Sequence, residues 1–261
     1  MSEELKGRTA LVTGASSGIG ADFARELAAR GAKLVLVARR AEPLQRLAQE
    51  LAKSGAEARV APADLSDPAA RKRLHAELAA SGTGVDILIN NAGFGVFGPF
   101  ANSDWARVAE MLEVDMVALT HLTHLFLPEM LARSWGRVLL VSSTAAFQPT
   151  PIYAVYGAGK AYVLSFGVAL HQELRGSGVS CTTLCPGVTD TEFFAVAGQR
   201  QTVFHRLSMM SSRAVARQGI AALLARRPSV VAGRMNALMA LGTRLTPRSW
   251  AAALAERMMK N

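Results

Sequence analysis

Tyr156 and Lys160 stand four residues apart. On a helix that spacing puts both on one face, a turn apart. A tyrosine hydroxyl can give a proton to an oxygen on which charge develops, as when hydride reaches a carbonyl. Its unperturbed pKa of about 10 is too high for easy exchange near neutrality. A lysine ammonium beside it favours the phenolate and lowers that value. A positioned acid of this kind contributes roughly 10²- to 10⁴-fold in rate. Tyr153 competes for the role but lies seven residues, two turns, from Lys160. A Tyr and a Lys at this spacing are common by chance, so the pair carries weight only with the residues around it.

Hydride needs a carrier, and the chain has a place for one. Thr13–Gly20 reads Thr-Gly-Ala-Ser-Ser-Gly-Ile-Gly, between an apolar run and a helical pattern. Glycines there let the backbone turn tightly against a pyrophosphate, and the next helix points its free N–H groups at the anion. Gly14, Ser16, Ser17, Gly18, Ile19 and Gly20 are the expected contacts, although the spacing is not that of the commoner dinucleotide fingerprint. The second strand ends at Ala38-Arg39-Arg40, with no Asp or Glu before Glu42. An acidic residue at such a strand end would hold the ribose 2′-hydroxyl of NAD, whereas arginine accommodates a 2′-phosphate. NADP(H) on Arg39 and Arg40 is the expected cofactor.

The elements that must position these groups alternate. Strands are expected at Thr9–Thr13, Leu34–Ala38, Glu57–Ala61, Val85–Ile89, Arg137–Ser142, Val179–Leu184 and Ser229–Ala232. Helices are expected at Ile19–Arg30, Glu42–Ser54, after the Asp67-Pro68 cap, from a Ser103 cap to Leu127 with Pro128 ending or bending it, at Tyr156–Leu174 and at Ala214–Ala225. This rhythm predicts one α/β domain, a parallel sheet of about seven strands with helices on both faces. Residues 236–261 read as an amphipathic, basic helical extension.

Composition narrows the function classes. Half the residues are hydrophobic and 19% charged, which excludes disorder. No run of about 18 uncharged apolar residues predicts a membrane-spanning helix. The polar N-terminus runs straight into a strand, so it does not read as a signal peptide. The net charge is +9, but Lys and Arg are spread along the chain without a dense run, and aromatics are 6%. Nucleic acid is not the expected partner. Cys181 and Cys185 read as small core residues of a cytoplasmic protein, with no metal site expected.

Five separated motifs resemble those of the short-chain dehydrogenase/reductase family: Thr13–Gly20, Asp64-Leu65, Asn90-Asn91-Ala92-Gly93, Tyr156-Gly-Ala-Gly-Lys160 and Pro186–Thr191. The resemblance spans residues 7 to 191 and implies a Rossmann-type fold. It implies that Asp64 and Leu65 border the adenine, and that Asn90, Asn91, Ala92 and Gly93 support the central strand beside the ribose. It implies that Pro186, Gly187, Val188 and Thr191 hold the nicotinamide end. It also makes Ser143, 13 residues before Tyr156, the catalytic serine in preference to Ser142, and gives Lys160 the nicotinamide ribose. Residues 189–212 would form a substrate lid. Phe193, Phe194, Phe204, Leu207, Met209 and Met210 suit a hydrophobic carbonyl or alcohol, and Arg200, His205 and Arg206 an anionic tail. Relatives commonly form dimers or tetramers through two long helices, here Ala109–Leu127 and Tyr156–Leu174.

One position departs from the family. Asp115 stands where an asparagine is usual, a position whose main chain holds a water linked to the lysine. A carboxylate near Lys160 would favour its ammonium and raise the pH optimum. Three readings compete: a carbonyl reductase, another reaction on the same fold such as an epimerase, and a non-catalytic NADP-binding regulator. The basic extension has two, packing on a neighbouring subunit or touching a membrane surface. His121 and His124 read as packing residues.

Overall fold

The computed structural model describes residues 4–199 and 208–259. Its strands are β1 (Thr9–Thr13), β2 (Lys33–Ala38), β3 (Ala58–Pro62), β4 (Ile87–Asn90), β5 (Gly136–Val141), β6 (Val179–Cys185), β7 (Thr189–Asp190), β8 (Met210–Ser211) and β9 (Ser229–Val231). Its helices are α1 (Gly18–Ala28), α2 (Ala41–Ala52), α3 (Pro68–Ala80), α4 (Trp105–Leu112), α5 (Leu119–Ala132), α6 (Ala154–Glu173), α7 (Phe193–Ala197), α8 (Ser212–Leu224), α9 (Arg234–Gly242) and α10 (Arg248–Met259).

Seven strands form one parallel sheet in the order β3-β2-β1-β4-β5-β6-β9. This is the Rossmann-type α/β fold, with helices on both faces. Alternation along the strands feeds two cores. Ala10, Val12, Leu34 and Leu36 face Phe23, Leu27, Leu44 and Ile220. Leu11, Val35 and Val37 face the layer of Leu74, Leu122, Phe126 and Val163. Burying one such Leu or Phe side chain stabilises the fold by about 1.5–3 kcal/mol.

The strand order reverses between β1 and β4. Ligands of open parallel sheets bind in the crevice beyond the carboxyl ends at such a point. The glycine turn, Arg39, Asp64, Asn91, Ser143 and Pro186 each follow the carboxyl end of one of the six strands β1 to β6.

Three expectations about the long helix need correction. Its cap is Asp104, whose side chain accepts from the Ala106 N–H, while Ser103 lies outside. It is not continuous: a π-helical segment, Glu113–Ala118, separates α4 from α5. Pro128 does not end it, since α5 runs on to Ala132. Buried Phe126 and Met130 on either side of Pro128 offset its missing hydrogen bond. The C-terminal extension comprises two helices, α9 and α10.

Candidate active site

The phosphate turn is tight. Gly14 has a φ of +66°, and a Cβ there would stand 2.8 Å from Asn91 Nδ2. A Cβ at Gly20 would collide with the Gly14 carbonyl oxygen. The backbone therefore makes a cradle that a side chain would fill, which fits a pyrophosphate lying against it. Thr13 pins the neighbouring loop: its Oγ1 accepts from the N–H groups of Asn91 (2.9 Å) and Ala92 (3.0 Å). Asn90 holds the strand end to α5 by donating from Nδ2 to Thr123 Oγ1 at 3.0 Å. Thr191 packs on the turn, with its Cγ2 2.9 Å from where a Gly18 Cβ would be.

Arg39 and Arg40 line the same cavity as the turn, beside Asp64 and Leu65. Each is tied to a carboxylate. Arg39 Nη1 lies 2.8 Å from Glu110 Oε1, and Arg40 Nη2 lies 3.0 Å from Glu192 Oε2. Ser17 and Arg40 together hold the Glu192 carboxyl below its usual value. Neither arginine is committed by burial, so both can turn towards an anion.

At the other end of the cavity stand Ser143, Tyr156 and Lys160. Helix α6 presents Tyr156 and Lys160 from consecutive turns, and the loop after β5 presents Ser143. Lys160 Nζ lies 2.9 Å from Asp115 Oδ2 and donates to the Val141 carbonyl at 3.2 Å. Asp115 Oδ1 accepts from the Phe94 N–H at 3.0 Å. Asp115 projects from the π-helical segment, the kind of wide turn that often marks a functional site.

Charge and burial compete here. Burial acts against the Lys160 ammonium, but Asp115 and Tyr156 together outweigh it and hold Lys160 above the usual lysine value. Burial pushes Asp115 up, against the pull of Lys160. Burial also raises Tyr156. Lys160 and a hydrogen bond from Ser143 pull it down, while Asp115 adds to the rise, and the net direction is up. The expectation of a simply lowered tyrosine is therefore corrected: Lys160 does pull the phenol down, but burial outweighs it, and Asp115 adds a smaller push in the same direction as burial.

The competing residues are otherwise engaged. Ser142 donates to the Lys160 carbonyl at 2.7 Å. Tyr153 donates to Gln199 Oε1 at 2.8 Å, and burial raises its phenol further. Cys181 and Cys185 are free thiols in β6, and burial pushes both up to about 12. His121 Nδ1 accepts from Arg71 at 3.1 Å.

The cavity has a volume of about 980 Å³, enough for a dinucleotide arm and a substrate. Beyond Tyr156 its wall is aromatic, with the Tyr156 and Phe193 rings 5.4 Å apart. Phe194 lines it too, and Met209 and Met210 are half-buried. Phe204, Leu207, Arg200, His205 and Arg206 lie outside the described residues. A further wall comes from α9 through Asn236 and Met239, from the turn after it through Thr243 and Thr246, and from α10 through Leu254.

A family model described as short chain dehydrogenase matches residues 8–202. The chain belongs to the short-chain dehydrogenase/reductase family. Members of known structure resemble it closely. A short-chain dehydrogenase from Sphingobium yanoikuyae in complex with NADPH is 32% identical with a TM-score of 0.81, over 91% of this chain and 94% of that one. A 7β-hydroxysteroid dehydrogenase is 26% identical with a TM-score of 0.86, over 99% of both chains. A family member from Burkholderia phymatum in complex with NAD is 27% identical with a TM-score of 0.82, over 91% and 93%. Two curated relatives, 36% and 34% identical, are matched over 63% and 64% of their own length.

Within the family frame, three features escaped the sequence. A carboxylate near Lys160 was expected from Asp115, but not that the two would meet directly, at 2.9 Å. The carboxylates of Glu110 and Glu192 gave no signal, since they meet Arg39 and Arg40 from distant segments. The cavity-lining role of α9 and α10 was hidden because an amphipathic pattern says that a face is buried, not against what.

Proposed function

We propose that the chain is an NADP(H)-dependent carbonyl reductase, or the reverse alcohol dehydrogenase, acting on a hydrophobic small molecule. The observation that carries this is one cavity holding the phosphate cradle and two arginines at one end and Ser143, Tyr156 and Lys160 at the other. The cofactor, when bound, supplies or accepts hydride. The residues proposed to hold it are Gly14, Ser16, Ser17, Gly18, Ile19, Gly20, Arg39, Arg40, Asp64, Leu65, Asn90–Gly93, Pro186, Gly187, Val188 and Thr191, with Tyr156 and Lys160 at its inner end. Arg39 and Arg40 support NADP(H), since no acidic residue stands at the end of β2 to hold a ribose 2′-hydroxyl.

Tyr156 is the proton donor in reduction and the acceptor in oxidation. Ser143 orients the substrate oxygen. Lys160 keeps a positive charge beside the phenol, and Asp115 keeps Lys160 charged and in place. The apolar wall of Phe193, Phe194, Met239 and Leu254 excludes water and favours a hydrophobic substrate. Residues 189–212 act as its lid. Exposed Val117, Leu131, Tyr162 and Val168 on α5, α6 and the π-helical segment support a homodimer or homotetramer. Free thiols support a cytoplasmic location.

A second reading, an NADP-binding regulator without turnover, is favoured by Asp115, which offsets the charge that acidifies Tyr156. Steady NADPH oxidation across a panel of aldehydes and ketones supports the enzyme. Tight NADPH binding with no turnover on any of them supports the regulator.

A further inference from the structure

The basic residues are spread along the chain, but the acidic ones are not. From residue 193 to the end, eleven Lys and Arg stand against one Glu, whereas residues 1–192 hold 18 Lys and Arg against 19 Asp and Glu. No Asp or Glu occurs between Glu192 and Glu256. The net positive charge of the protein therefore belongs to its last quarter.

The same segment exposes large apolar side chains. Met235, Leu238 and Leu241 follow at helical spacing along the outer side of α9, Leu245 sits in the turn beyond it, and Trp250 and Leu254 share a side of α10. Leu245 is 88% exposed and Trp250 72%. Exposed Arg234, Arg244, Arg248 and Arg257 lie among them. Scattered exposed apolar residues need no explanation, but six on two consecutive helices and the turn between them do.

The inner sides of α9 and α10 form a further wall of the cavity. Val196, Met239 and Leu254 line the cavity and are also exposed, so its mouth opens on this face.

We propose that α9 and α10 seat the protein on an anionic lipid bilayer, with the cavity mouth turned to the membrane. Apolar side chains flanked by arginines are what an interfacial helix presents: the former enter the acyl boundary and the latter meet acidic headgroups. Tryptophan belongs at that level because its ring is apolar and its N–H is polar. A second copy of the chain fits the face less well. A two-fold interface sets the same patch against itself, which would bring arginine towards arginine with scarcely a carboxylate between them. A bilayer-dissolved substrate would then reach the cavity without crossing water. Among the described residues no helix is long and apolar enough to cross a membrane, so the contact is with its surface.

The test uses the full chain and vesicles of phosphatidylcholine, with and without phosphatidylglycerol, followed by sedimentation. Binding to the anionic vesicles at low salt, weakened at high salt, is the expected result. Leu245→Ser with Trp250→Ser, and Arg244→Glu with Arg248→Glu, lower the bound-to-free ratio about tenfold each. None of these four residues lines the cavity, and thermal melts establish that the variants fold. Equal binding to both vesicles, or binding to neither, overturns the proposal. So does a drop in particle mass by light scattering in the apolar double variant without vesicle binding in the wild type, which makes the face a subunit interface. Salt-sensitive capture of RNA in place of vesicles also overturns it. No substrate or nicotinamide cofactor is needed, so the outcome is independent of carbonyl reduction.

Discussion

Asp115 and Lys160 form a buried ion pair, Oδ2 to Nζ 2.9 Å, with Nζ 5.6 Å from the Tyr156 ring centroid. Tyr156 therefore faces a neutralised lysine rather than a bare cation. The groups around the phenol are Lys160 and Tyr153 on α6 and its approach, Ser143 on the loop after β5, and Asp115 on the π-helical segment. Cys185 of β6 lies against Lys160.

The pair sets the pH dependence. Oxidation needs the phenolate, so it rises with pH through the Tyr156 pKa. Reduction needs the phenol and falls through the same pKa. Because that pKa is raised, alcohol oxidation reaches its plateau only at alkaline pH, while reduction persists there. In Asp115→Asn a negative charge is removed and the phenolate is favoured, so both profiles move to lower pH. The initial rates of both directions against pH measure this. An unmoved profile shows that the carboxylate does not act on the phenol.

The same pair matters for stability. Asp115→Ala leaves Lys160 buried without its counter-charge and the Phe94 N–H without its acceptor, and costs about 3 kcal/mol. Asp115→Asn keeps an oxygen for Phe94 and costs less. Urea unfolding of the two variants gives the comparison.

Glu110 competes for Arg39. A 2′-phosphate must share that guanidinium or displace the carboxylate from its 2.8 Å contact. Glu110→Gln tightens NADPH several-fold and leaves NADH unchanged, whereas Arg39→Ala lowers the preference for NADPH over NADH about tenfold. Titrations of each cofactor by fluorescence measure both.

The glycine cradle has no room. Gly20→Ala drives a Cβ into the Gly14 carbonyl oxygen. The turn must open, weakening either cofactor at least about tenfold, with a stability loss of about 1–3 kcal/mol. Calorimetric titration and a thermal melt separate the two effects.

Thr246, in the turn before helix α10, lines the same cavity as Tyr156. Thr246→Phe raises KM for long-chain ketones about tenfold and leaves short ones unaffected, because only the long ones reach that wall. Equal effects on both place the substrate elsewhere.

How much of this was legible depended on the range over which the cause acts. The sheet was readable because each strand is an apolar run ending in a residue of special type: Gly14, Arg39, Asp64, Asn91, Ser143, Pro186. Those residues share the carboxyl edge of the sheet, so reading the strands also located the site. The π-helical segment was not readable, since nothing in Glu113–Ala118 breaks a helical pattern. Its cause is distant: Asp115 meets Lys160, 45 residues on, and Asn90 holds α5 through Thr123. The outer and inner faces of α9 and α10 were likewise invisible as such. The missing acids of the last quarter were countable from the start, but only the exposed side chains gave them a place.

Tyr156→Phe tests the central claim most directly, because it removes one hydroxyl and keeps the ring in its contact with Phe193. With NADPH and a hydrophobic ketone that the wild type reduces, the rate falls at least about 100-fold while NADPH binding is unchanged. Reduction at the wild-type rate in Tyr156→Phe contradicts the claim.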